Sequence, residues 1–156
     1  MGRLLAGGVA ALAILAGCTV EIGGVTGVGV DARGQLIGYI QMCGHHVDGA
    51  TFYDTGGFNG KTKGSWSSAA PVTDFSKWSL ADPIDGWTTS GSYVPPSGDH
   101  EYSLYGWTTD NSWSAEHVTF HLSDLAGLEP DEVLYAQAGK LVRRTEDEFR
   151  HKACAQ

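Results

Sequence analysis

The chain has 156 residues, 22 of them glycine, and a formal net charge of −8 at neutral pH. That acidic excess excludes electrostatic binding of nucleic acid and adsorption to anionic lipid heads. With 42% of its residues hydrophobic, the chain can bury one real core but is too short for several.

Residues 1–17 stand apart. One basic residue, Arg3, precedes an unbroken run of Leu, Ala, Gly, Val and Ile that ends in Ala16 and Gly17, the pattern of a signal peptide. The run falls short of the roughly 20 apolar residues that a spanning helix requires, and no later segment is longer. Leu15-Ala16-Gly17-Cys18 resembles the lipobox of bacterial prolipoproteins. The resemblance covers the first 18 residues. It implies that Cys18 receives a diacylglyceryl group, that residues 1–17 are removed, and that lipid on Cys18 holds the mature chain to the extracytoplasmic face of the cell membrane. Each buried methylene contributes about 0.8 kcal/mol, so two or more acyl chains anchor stably where one does not. The alternative is an ordinary secretory signal with a chance cysteine.

With Cys18 assigned to lipid, Cys43 and Cys154 are the only remaining cysteines, and export places them in oxidising surroundings. A disulfide between them follows by elimination. Two free thiols in a reducing site are the alternative.

Residues 18–24, with Gly23-Gly24, read as a short lipidated tether, and residues 25–156 as a single domain. Val25–Val30 and Gln35–Cys43 are predicted strands joined by a tight turn at Asp31–Gly34. In the second of them neither face is polar throughout, so it is expected to be central. His46–Asp54 is a third strand. Between Asn59 and Pro96 the sequence is rich in Gly, Ser, Thr and Pro, and only short strands and long loops are expected. Tyr102–Trp107 reads as a further strand. In Glu116–Ser123, Val118, Phe120 and Leu122 alternate with His117, Thr119 and His121, which predicts one dry and one wet face. Leu128-Glu129-Pro130 ahead of Tyr135 resembles the tyrosine corner of fibronectin type III and related sandwiches, with the tyrosine one residue late. Gly139-Lys140 turns the chain back through Leu141-Val142. Thr145 and Glu148 form a capping box for a helix over about 146–154, with Phe149 and Ala153 on its packing face. Many short strands and one terminal helix predict an all-β fold, an antiparallel immunoglobulin-like β-sandwich with a short C-terminal helix. Gly-Trp-Thr-Thr occurs at Gly86–Thr89 and at Gly106–Thr109, as coincidence or as two similar strand starts.

Two groups of residues are candidates for chemistry. His45, His46 and Asp48 offer imidazole and carboxylate ligands for a metal; His46 and Asp48 would share a strand face about 7 Å apart, and His100 is a conceivable third ligand. The competing reading is polar residues in a strand connection. His117 and His121 on one strand would lie about 13 Å apart, too far for one ion to bridge. Trp66, Trp78, Trp87, Trp107 and Trp113 suggest sugar stacking, against the competing reading of core anchors. The aspartates and glycines of 54–60 and 82–86 fit ordinary turns and do not match an EF-hand. No nucleophile elbow, zincin motif, phosphate loop or cofactor-binding motif occurs. The sequence therefore predicts a non-catalytic binding or structural module of the cell envelope, partnered by the membrane through its lipid and by an envelope protein or glycan. The alternative is a small envelope enzyme or metal-binding protein using His45, His46 and Asp48.

Overall fold

The computed structural model describes residues 19–56 and 60–155. Residues 1–17, read above as a signal peptide, and Cys18 lie outside the described residues. Strand β1 (Glu21–Val30) starts four residues before the expected Val25, so Gly23 and Gly24 belong to the sheet and not to a tether. The reason is steric. A Cβ on Gly24 would stand 2.5 Å from Met42 Sδ, so the glycines permit close strand packing. β2 (Leu36–Met42) pairs antiparallel with β1 from Gly24↔Met42 to Val30↔Leu36. Asp31 Oδ1 closes the turn between them by accepting from the N–H groups of Arg33 and Gln35.

The remaining strands are β3 (Val47–Asp54), β4 (Lys61–Val72), β5 (Phe75–Ser79), β6 (Trp87–Thr89), β7 (Glu101–Trp107), β8 (Trp113–Glu116), β9 (Val118–His121), β10 (Glu132–Gln137) and β11 (Lys140–Thr145). A 3₁₀ turn covers Leu122–Leu125, and helix α1 spans Glu146–Lys152. The fold is all-β with a short C-terminal helix. All the strands described join one hydrogen-bonded sheet, ordered β11-β10-β1-β8-β7-β3-β4-β6, with β2 and β5 continuing from β1 and β9 paired with β7. β2 is central, as expected, between β1 and β5. Side chains draw β5 and β6 together: Trp78 and Trp87 stack with centroids 4.2 Å apart, and Trp87 Nε1 donates to Ser76 Oγ at 2.9 Å. The sheet is thereby curled almost into a barrel.

One pairing departs from the antiparallel expectation. β8 runs parallel to β1, from Glu21↔Trp113 to Val25↔Glu116, while β10 takes the same edge of β1 at Gly27 and Val28. A single long strand thus offers one edge to two partners in succession.

The alternation of β1 and β2 is explained by two cores. Phe52, Trp66, Trp78, Tyr102, Leu104 and Phe120 fill the interior of the curl. On the outer face of β1 and β2, Val25 and Tyr39 pack with Val133, Tyr135, Phe149 and Ala153 of β10 and α1. The capping box forms as read, with Glu148 N–H donating to Thr145 Oγ1 and Thr145 N–H to a Glu148 carboxylate oxygen. The Cys43–Cys154 disulfide, with Cα atoms 5.4 Å apart, ties the end of α1 to the end of β2.

The tyrosine corner does not form. Its defining hydrogen bond is missing, because the Tyr135 hydroxyl is buried without a partner among the described residues, and the ring meets Phe149 edge-on at 5.0 Å instead. Nor do the two Gly-Trp-Thr-Thr segments mark similar strand starts: Trp87 opens β6, whereas Trp107 closes β7.

Candidate functional site

The five tryptophans divide into two sets. Trp66, Trp78 and Trp87 are buried in the interior core and cannot form a platform for a ligand. Trp107 and Trp113 remain half-buried and line a shallow groove of about 500 Å³ on the outer face of β3, β7 and β8. The strand period dictates this division. On β7, Tyr102, Leu104 and Gly106 face inward, so Tyr105 and Trp107 face out.

Trp107 is positioned by its cross-strand neighbours. It pairs with Gly49 in the β3–β7 ladder, and its six-membered ring lies over that glycine while Nε1 donates to Thr51 Oγ1 at 2.9 Å. A side chain at position 49 would occupy the space of the ring. Tyr105, opposite Thr51, is stacked on His117 with centroids 4.4 Å apart. Tyr53 meets both rings edge-on.

His117 reaches Tyr105 because β8 and β9 do not form one continuous strand. Between the pairs Trp107↔Ser114 and Leu104↔Val118, three steps along β7 face four along β8 and β9, which is a β-bulge. His117 sits at the break. Its Nδ1 lies 3.2 Å from the Tyr53 hydroxyl and 3.3 Å from Ser103 Oγ, and Thr119 Oγ1 donates to the same serine. Although His117 is exposed as a residue, its ring is covered by Tyr105 and flanked by Tyr53. This desolvation holds its pKa below the ordinary histidine value, against the opposing charge of Glu116. Alternation correctly put His117 on a wet face, but the bulge that pairs it with Tyr105 depends on a strand remote in sequence.

The loop between β7 and β8 closes the groove. Thr108 Oγ1 accepts from Trp113 N–H at 3.0 Å and also bonds the Trp113 carbonyl, while Asp110 Oδ1 accepts from Ser112 N–H and Oγ. These Ser112 bonds hold the Asp110 carboxyl below the usual range. Asp48 Oδ2 accepts from Thr109 N–H at 2.8 Å and fixes the loop to β3. Val20, the second described residue, lines the same groove.

The candidate metal ligands do not converge. The His45 ring is stacked on Trp113 at 3.4 Å, with its backbone at φ 64°. His46 Nε2 and Asp48 Oδ1 lie 3.4 Å apart as an isolated pair. His100 Nδ1 is engaged by Asp54 Oδ2 at 2.7 Å, at the opposite end of β3 from Asp48. Among the described residues no three His, Cys, Asp or Glu side chains gather to hold a metal ion. The physical reason is the strand itself, which separates Asp48 from Asp54 by six residues, about 20 Å.

Comparison of the chain with protein-family models, with curated proteins and with solved structures returns no match.

Proposed function

We propose that this chain is a prolipoprotein cut before Cys18, and that its β-rich body is a non-catalytic binding module of the cell envelope, anchored extracytoplasmically by lipid. The lipobox-like residues 15–18 support the anchor. The body engages an envelope protein or glycan through the groove of Tyr105, Trp107 and Trp113. One observation carries this reading: a tryptophan laid over a glycine, half-buried beside a hydroxyl-rich loop and sharing its groove with Trp113, while the chain's other three tryptophans are buried in the core. Large aromatic rings at a polar surface are the usual anchors of recognition.

The short connection adds a constraint. Only Thr19 and Val20 separate Cys18 from β1, and Val20 borders the groove, so an anchored domain would present this groove close to the membrane. Antiparallel hairpins support the immunoglobulin-like description of the body, whereas the unbroken hydrogen bonding of its one sheet favours a barrel-like one. Two measurements test the proposal. Lipid labelling and membrane fractionation should both be lost in Cys18→Ser; normal maturation and retention of that variant would refute the anchor. Capture from envelope extract should be lost in Trp107→Ala, and equal capture by both proteins would remove the groove from the account.

A further inference from the structure

We propose that the groove binds an uncharged pyranose chain, an inference that rests on the binding-module reading and narrows it to one chemistry. Three independent features point there. The first is a row of rings. Tyr105 and Trp107 are two apart on β7 and so follow each other at about 7 Å along the strand, one backed by His117 and the other laid over Gly49. A sugar ring has an apolar face of C–H groups that such rings cover well.

The second feature is the rim. Thr109, Asn111 and Ser114 line the groove, and their side chains form no hydrogen bond with another described residue, although Thr109 N–H is held by Asp48 and Asn111 N–H by the Thr108 carbonyl. Hydroxyl and amide groups on a fixed loop are ready partners for sugar hydroxyls, and a pre-ordered loop loses little entropy on binding. Asn111 is held at φ 58° by the turn.

The third feature is charge. No lysine or arginine lines the groove, and the carboxylates of Asp48 and Asp110 brace its loop. A polymer carrying carboxylate, sulfate or phosphate would meet those carboxylates with no lysine or arginine in the lining to offset them. On the surrounding face the outward residues of β3 and β4 include Thr51, Ser65 and Ser67 beside the ring of Tyr53, so hydroxyls flank the rings on that side as well.

The test uses the full chain in detergent micelles, titrated calorimetrically with two oligosaccharides of equal length. One is an uncharged N-acetylglucosamine oligomer, the other an anionic uronate oligomer. The uncharged oligomer should bind, with affinity reduced at least about tenfold in Trp107→Ala. It should fall severalfold in Thr109→Ala/Asn111→Ala, which leaves every core residue in place. The uronate oligomer should not bind at low ionic strength. Equal or tighter binding of the uronate oligomer, or unchanged binding of the neutral one in both variants, would overturn the proposal. If neither sugar binds while capture from envelope extract still depends on Trp107, the sugar class falls and the binding module stands. If capture fails as well, both fall.

Discussion

Gly49 and Trp107 face each other in the β3–β7 ladder, and the indole of one fills the space that a side chain on the other would need. A Cβ at position 49 would come 2.4 Å from Trp107 Cζ2 and 2.5 Å from the Trp66 carbonyl oxygen. The ring could lift, but a backbone carbonyl in the neighbouring β4 ladder has no such freedom. Gly49→Ala should therefore cost about 1–3 kcal/mol of stability by overpacking and displace Trp107 from Thr51. Urea unfolding, together with the fluorescence of Trp107, measures both effects. Wild-type stability with an undisturbed groove would show that the contact does not fix the ring.

The two classes of tryptophan should respond differently to truncation. Trp78 is buried against Trp66, Trp87 and Gly38, so Trp78→Ala should cost about 3–5 kcal/mol. Trp107→Ala removes a half-buried ring on the outer face, and its cost should be clearly smaller. Denaturation midpoints of the two variants compare them directly. An equal loss would mean that Trp107 is a structural residue first.

Elements whose signals are local were legible in the sequence. The β1–β2 hairpin carries its own turn residue in Asp31, β9 shows strict alternation through Val118 and Phe120, and α1 carries its capping box in Thr145 and Glu148. β4 was not legible. Its inward Gly64 and Trp66 alternate with serines that bond to Thr51 on β3 and to Ser90 just past β6, so small polar residues there form a strand through tertiary pairing and not through propensity. The parallel β1–β8 pair and the groove have the same origin. Trp107 acquires its position from Gly49 and Thr51, and no spacing along the chain reveals that the three meet.

The missing tyrosine corner leads to a prediction of its own. In a true corner the hydroxyl is bonded, and its removal destabilises the fold. Here the Tyr135 hydroxyl is buried without a partner among the described residues, so it bears a desolvation cost with no hydrogen bond from them in return. Tyr135→Phe should leave stability unchanged or raise it by about 1 kcal/mol. A loss greater than about 1 kcal/mol would mean that the hydroxyl is bonded in solution.

The disulfide closes a loop across 111 positions and fixes α1 over the second core. Cys43→Ser/Cys154→Ser should lower stability by about 2–5 kcal/mol. Phe149 stays fully buried only while α1 is docked, so amide exchange in α1 should accelerate more than in β3 or β7. Uniform protection in the double variant would show that the helix docks without its covalent tie.

His117 should make stability depend on pH in a window that the carboxylates leave alone. Its native pKa is lowered because Tyr105 and Tyr53 desolvate the ring, against the opposing charge of Glu116, while Ser103, itself bonded by Thr119, lies against Nδ1. The unfolded chain, with a histidine pKa of about 6.5, then binds the proton at higher pH than the native one. Stability is retained above that value and falls as pH drops from about 6.5 toward the native pKa, below which the loss is complete. Asp31, Asp54, Asp110 and Glu148 also have lowered pKa values, held down chiefly by hydrogen bonds, from Gln35, His100, Ser112 and Lys152 respectively. Their contribution is present above about pH 4 and is lost only below it. Unfolding of the wild type and of His117→Gln, followed from about pH 7 to about pH 5, isolates the histidine. The wild type should lose stability relative to the variant as pH falls. Parallel curves would mean that the Tyr105–His117 stack does not discriminate between the neutral and charged ring.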